Sequence, residues 1–298
     1  LKSSTILDFI NIYRKEKIST QYKVAYHEYD WTLNEQKNTV VGNNETDLST
    51  KSFTMQSFTQ STLLRKGGWE YKMFNGTYTQ TKGYSDIGVL GDLGVRSNFF
   101  SNINQFLYGI NPRVNVGFDL WIKSSKNNGL QDSPFQVLNF SNDSVSKAAL
   151  TGFGPKIKFI PFEKLSHFAI QSTYLFPMAK NMESRGLNTA YLSNDAGTWI
   201  TQMMYDFMLV KDFQVFTQVS PWVYFPTREN ESAYVSTPVS LFLSYFATDR
   251  ITLYTQTEIW PNWSSGAKVG SYFLQNGLGL KFQIIPNFLE LEASSTKF

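Results

Sequence analysis

Apolar and polar residues alternate with a period of two along most of this 298-residue chain. That period marks a strand whose faces meet different surroundings, because successive side chains point to opposite sides. In 113–123 one face reads Val114, Val116, Phe118, Leu120 and Ile122, and the other Arg113, Asn115, Gly117, Asp119, Trp121 and Lys123. In 86–98, Ile87, Val89, Gly91, Leu93 and Val95 oppose Asp86, Gly88, Leu90, Asp92, Gly94, Arg96 and Asn98. Near the end, Leu274, Leu278, Leu280, Phe282 and Ile284 oppose Gln275, Gly277, Gly279, Lys281 and Gln283, then Leu289, Leu291 and Ala293 oppose Glu290, Glu292 and Ser294. The pattern predicts strands over 20–31, 54–65, 68–80, 86–98, 112–124, 150–160, 167–178, 199–210, 213–225, 236–247, 251–260, 272–284 and 288–298.

The connections alternate in length. Short ones, mostly with turn formers, fall at 65–68, 161–166, 211–212, 248–250 and 286–287. Long ones, rich in Asn, Ser, Gly, Asp and Glu, fall at 32–53, 125–149, 179–198, 226–235 and 261–271. Two depart from the rule: 81–85 is short where a loop is due, and 99–111 is long where a turn is due and reads as an amphipathic helix or an irregular turn. A soluble sandwich or propeller has no reason to sort its connections this way, whereas a transmembrane barrel does, with short periplasmic turns and long extracellular loops. The expected fold is all-β: one transmembrane antiparallel up-and-down β-barrel domain over 1–298, with about 12–14 strands. Trp31, Trp121, Trp199, Trp222, Trp260 and Trp263 fall near strand ends on the long-loop side and Trp69 at the short-turn side, the placing expected of aromatic girdles at two membrane interfaces. Residues 1–17 are a candidate N-terminal arm, helix or plug, with Ser4 ahead of an apolar run and Asp8 in its first turns, although a first strand reads equally well.

Composition narrows the class further. The chain is 42% hydrophobic, 16% aromatic and 17% charged, with net charge +3 and no cysteine. Disordered tails, disulfide scaffolds and cysteine-ligated metal proteins are excluded, and the balanced charge offers no footprint for nucleic acid. No apolar run approaches the ~18 residues of a membrane-spanning helix. The mean hydropathy of −0.27 fits a protein whose aromatics face lipid while its polar residues fill a lumen and loops. The chain starts at Leu1 with no leader pattern, as expected of an exported protein in its mature form or of a trimmed sequence.

Over nearly its whole length the sequence resembles the bacterial outer-membrane β-barrel proteins. The stretch from Tyr84 to Arg96, Tyr-Ser-Asp-Ile-Gly-Val-Leu-Gly-Asp-Leu-Gly-Val-Arg, is similar to the Gly-Asp-containing strand of transporter-like and meta-pathway phenol-degradation-type barrels. The resemblance implies a location in the outer membrane, an even strand number, periplasmic termini and a last strand ending in an aromatic residue below alternating apolar positions. Phe298 is aromatic, but Thr296, Ser294, Glu292 and Glu290 occupy the alternate positions. Two expectations follow: a chain that stops one strand short of a 14-stranded parent, or a 12-stranded barrel in which 20–31 or 54–65 is not a wall strand.

The inward face inherits the charges. Asp86, Asp92, Arg96, Arg113, Asp119, Lys123, Lys156, Lys158, Lys281, Glu290 and Glu292 are the candidate lumen-lining residues, in nearly matched numbers of acids and bases. Such matching points to weak ion selectivity or to neutralisation across neighbouring strands, chiefly among Asp92, Arg96, Arg113 and Asp119. The apolar patch Phe135, Val137, Leu138 and Phe140 in the 125–149 loop is a candidate constriction folded into the barrel, or else a surface loop. His27 and His167 fall far apart and neither has a nucleophile, metal-ligand spacing or phosphate loop beside it, so no catalytic residue, metal or cofactor is expected. The leading expectation is a porin or channel for passive diffusion of small polar solutes through the outer membrane, in contact with its lipid. The alternative is a structural or assembly barrel with a filled lumen that binds partner proteins or further copies of itself. A barrel hydrolase comes third.

Overall fold

The computed structural model describes residues 4–13, 61–84, 90–183, 190–229, 231–264, 268–285 and 288–297. Its strands are β1(Ser4–Tyr13), β2(Trp69–Tyr84), β3(Leu90–Asn111), β4(Val114–Asn128), β5(Ser146–Phe159), β6(Phe168–Pro177), β7(Ala196–Val210), β8(Phe213–Val219), β9(Trp222–Pro226), β10(Tyr234–Ser236), β11(Val239–Phe246), β12(Ile251–Ser264), β13(Lys268–Ile285) and β14(Leu289–Lys297). All pairings are antiparallel, and the sheet closes on itself because β1 pairs with both β2 and β14 while β7 pairs with β8.

Proline divides two of the wall strands. Pro221 separates β8 from β9, which both pair with β7, and Pro238 separates β10 from β11, which both pair with β12. Proline carries no N–H for a ladder bond, so a strand interrupts where it stands. The two breaks lie side by side, with the Ser220 amide donating to the Pro238 carbonyl at 2.8 Å. The fourteen segments, less the two continuations, therefore make a wall of twelve strands.

The faces of this wall are inverted relative to a soluble protein. Leu241, Leu253, Leu278 and Leu280 point outward and are exposed, Leu278 by 70%, whereas Ser240, Gln256, Glu290 and Glu292 point inward and are buried. A closed sheet pairs every backbone N–H and C=O within itself and can therefore present this apolar surface to lipid.

Several expectations need correction. Residues 4–13 form neither an arm nor a helix nor a plug but the wall strand that joins β14 to β2. The 20–31 strand lies outside the described residues, and of 54–65 only 61–65 is described, with no strand in it. The 99–111 segment is the lower half of β3, and a two-residue turn at Pro112–Arg113 follows it. Its Phe106, Tyr108 and Ile110 alternate with buried Leu107 at the register of a strand paired on both sides. Twelve strands of the described residues close the wall, as the 12-stranded expectation had it and not the 14-stranded one, and the register puts Ser4 and Lys297 both toward the long-loop side, opposite to what the resemblance implied. Much of the 261–271 loop is the extension of β12 and β13 beyond the wall.

Of the two placings expected for the apolar patch, the structure has the surface loop and not the constriction. Ser133 caps a short 3-10 helix, η1(Pro134–Asn139), by accepting from the Phe135 amide. The Ser124 hydroxyl donates to the Val137 carbonyl at 2.7 Å, and Phe140 meets Phe100 edge-on at 5.6 Å. Ser124 and Phe100 alternate onto the same face as Phe118, which is outward and exposed. Phe135, Val137, Leu138 and Phe140 are thus laid against the outside of the barrel, not in its lumen. The reason is local: β4 offers Ser124 and Asn128 there instead of aliphatics, and these donate to the loop carbonyls of Val137 and Ser133.

Candidate functional site in the lumen

The lumen is built in three levels. At the short-turn end, residues 61–65 run inside the barrel. The Ser61 hydroxyl donates to the Asp206 carboxylate, and the Lys158 ammonium donates to the Thr62 carbonyl at 2.6 Å. Leu63 packs on the inward cluster of Ala169, Met204 and Phe216. Gly109 faces this segment so closely that a Cβ there would meet the Arg65 carbonyl oxygen at 2.0 Å, so the crossing needs glycine at that position.

Above it lies a belt of paired charges. Lys156 and Asp119 are 2.5 Å apart with both side chains shut from solvent, Lys72 meets Glu70 at 2.8 Å, and Lys281 meets Glu292 at 3.2 Å. Glu292 also accepts from the Tyr254 hydroxyl, and the Tyr254 ring covers the inward face of Gly279. Asp206 accepts from Gln214 at 3.0 Å and lies 3.3 Å from His167 Nδ1. The carboxylate therefore stands between Ser61 and His167, whereas acyl transfer needs the imidazole between hydroxyl and carboxylate.

At the long-loop end the lumen opens into an aromatic chamber. Trp222 meets Trp121 at 5.8 Å and Trp260 at 5.1 Å, both edge-on, and Trp260 stacks on Phe273 at 5.4 Å. Tyr224 and Tyr234 stack at 4.6 Å beside them. Trp121, Trp222, Trp260, Tyr224 and Lys123 border a cavity of about 210 Å³, with Phe273 and Tyr234 packed behind them. Its roof is the loop carrying Tyr191, Ser193 and Asn194, held down where Arg228 bridges Asp195 at 2.5 Å and Glu183 at 3.2 Å. Burial pushes the Tyr191 phenol above the usual tyrosine range, so it stays a neutral donor to Asn194 at 2.5 Å.

The predicted site residues scatter among these levels and beyond them. Asp119, Lys156 and Lys158 face the lumen from β4 and β5, Lys281, Glu290 and Glu292 face it as a second group from β13 and β14, and Lys123 stands in the chamber. Asp92 is exposed 3.7 Å from Lys82 in the hairpin that projects past the wall, and Asp86 lies outside the described residues. Arg96 donates to the Leu130 carbonyl at 2.6 Å, so it anchors the outer loop rather than lining the lumen. Arg113 clips the β5–β6 turn through Glu163 at 2.6 Å and the Ile160 and Pro161 carbonyls, at the rim. The expected neutralisation among Asp92, Arg96, Arg113 and Asp119 does not form, because only Asp119 of the four reaches the lumen interior.

Among the tryptophans, Trp69 and Trp199 face outward, Trp199 donating to Ser172 at 2.7 Å, and Trp31 lies outside the described residues. Trp222 and Trp260 are not girdle residues: they line the chamber. The signal was parity. Trp260 alternates onto the face of Gln256 and Glu258, and Trp121 onto that of Asp119 and Lys123, whereas closeness to a strand end says nothing about face.

No protein-family model and no curated protein matches the chain. Among solved structures it is similar to the COG4313 outer membrane channel from Pseudomonas putida F1, at TM-score 0.52 and 10% identity over 80% of this chain and 97% of that one. Weaker likenesses include the P. putida toluene transporter TodX, at TM-score 0.39 and 9% identity over 76% and 77% of the two chains. A deltaS2 mutant of the TodX monoaromatic hydrocarbon channel also matches, at TM-score 0.38 and 7% identity over 99% and 87%. Closure, face inversion and the likeness to the first of these agree on one fold, that of a transmembrane antiparallel β-barrel.

Proposed function

We propose that the protein is an outer-membrane channel that admits small solutes through a binding chamber at its outer mouth, not a wide general porin. The observation that carries this reading is the chamber itself, a cavity lined by Trp121, Trp222, Trp260 and Lys123 on the inner face of a membrane barrel. General diffusion needs an open water-filled lumen, whereas this one is narrowed by residues 61–65 and by ion pairs that cancel locally. The likeness in fold to an outer membrane channel supports the reading. Solutes enter from the long-loop side, and their passage requires the 61–65 segment to yield.

The same segment and ion pairs favour a second reading, a structural barrel with a filled lumen. Reconstitution into planar bilayers and solute-loaded vesicles separates the two. The channel reading expects small, infrequent openings and slow solute flux, both increased when Leu63→Ala and Lys158→Ala loosen the segment. Protein that migrates as a folded barrel on gels, yet shows no conductance and no flux with or without these substitutions, is the structural barrel instead.

A further inference from the structure

We infer that the aromatic chamber binds a small planar aromatic carboxylate, its ring held among Trp121, Trp222 and Trp260 and its carboxylate on Lys123 and the Trp222 indole N–H. Other lumen lysines are satisfied by the protein: Lys72 by Glu70, Lys156 by Asp119, Lys281 by Glu292 and Lys158 by the Thr62 carbonyl. Lys123 differs. Its ammonium stands 5.5 Å from the centre of the Trp121 ring, and among the described residues it has no ion pair.

The Trp222 indole N–H, buried at the same cavity, has no hydrogen-bond partner among the described residues. A buried donor left unmade costs free energy, and Lys123 adds an unneutralised positive charge to the same cavity, so the site calls for an anionic acceptor. Among the described residues the lining contains no Asp or Glu, so a ligand supplies that acceptor together with its charge. Charge-assisted bonds from an ammonium to a carboxylate meet this need.

The rest of the wall selects shape. Tryptophan faces hold flat rings by offset and edge-to-face packing, and a cavity of about 210 Å³ lies below the roughly 300–1,000 Å³ usual for drug-sized ligands, so a single ring fits better than a fused system. An aromatic cage alone would also attract an organic cation, but Lys123 repels one. The inference rests on the channel reading only for why a binding site lies at the mouth of a barrel.

The test titrates the full-length folded protein in detergent with benzoate, benzyl alcohol and benzyltrimethylammonium, reading tryptophan fluorescence and calorimetry. Benzoate is expected to bind saturably and about ten-fold or more tighter than benzyl alcohol. Lys123→Gln should abolish that preference, Lys123→Arg should keep it, and Trp222→Phe should weaken benzoate several-fold while sparing benzyl alcohol. Heat-dependent gel migration checks that each variant is folded, and if Lys123→Gln does not fold the wild-type selectivity series still decides. The inference is overturned by absence of saturable benzoate binding, by equal affinity for the acid and the alcohol, by an unchanged preference in Lys123→Gln, or by preference for the ammonium. Because binding is read without a bilayer, solute flux without benzoate selectivity sinks this inference alone, and benzoate binding without flux sinks the channel reading alone.

Discussion

Asp119 and Lys156 show how a single contact decides the cost of a substitution in this lumen. They meet at 2.5 Å with essentially no solvent access, so removing one partner strands the other as a buried charge. Lys156→Met is expected to cost about 3–5 kcal/mol of stability, while the double change Asp119→Leu with Lys156→Met recovers most of it. Urea-induced unfolding in lipid vesicles measures both. Gly279 is constrained from the other side, since a Cβ there would meet the Tyr254 ring at 2.1 Å. Gly279→Val is expected to cost roughly 1–3 kcal/mol by overpacking, and Tyr254→Ala in the same background should relieve part of that loss.

At the scale of elements, two segments that are not wall strands are held by specific contacts. The first is 61–65, which crosses the lumen floor. The chain has no cysteine, so Ser61→Cys places one thiol among residues that are buried only if this segment stays inside. A membrane-impermeant thiol reagent should modify it far more slowly in the folded barrel than after boiling, and equal rates would mean that the segment lies outside. The second is the outer loop after β4. The Ser146 hydroxyl and the Val145 and Ser146 amides hold the Asp143 carboxyl below the usual carboxylate range. A depressed folded value means the stabilisation is present above the unfolded value and lost as pH falls through the folded one. Amide exchange in 141–146 should therefore quicken on acidification below the normal aspartate range, with the wall strands unaffected.

For the whole molecule, the decisive property is that apolar residues face out. Leu278, at mid-wall and 70% exposed, has lipid as its environment. Leu278→Arg should cost about 2–4 kcal/mol in folding into bilayers, and a smaller penalty for Gln256→Arg on the lumen face would confirm the inversion. Equal penalties at the two positions would mean that the faces have been assigned wrongly. The two proline breaks, at Pro221 and Pro238, lie at one height in neighbouring strands, and the chain re-enters the wall there with Trp222 and Ser236 facing inward. The chamber thus begins where the wall is interrupted.

Alternation in the sequence determined that this is a barrel and, for most strands, which face meets lipid, because a period of two is a property of consecutive residues. It placed Asp119, Lys123 and Lys156 inside for the same reason. It failed for Arg96 and Asn98, which lie on the outer face, and for the turn that falls at 112–113. Parity alone also put Trp121, Trp222 and Trp260 on the lumen face, but their closeness to strand ends drew the reading toward the girdles. Only the tertiary structure decided that 4–13 completes the wall, that 61–65 crosses the lumen, and that Lys156 rather than Arg113 neutralises Asp119. Those outcomes depend on which strands become neighbours and on shear around the closed sheet, and neither is encoded in any local period. The chamber is of this kind: its tryptophans come from β4, β9 and β12, far apart in the chain and brought together only when the barrel closes.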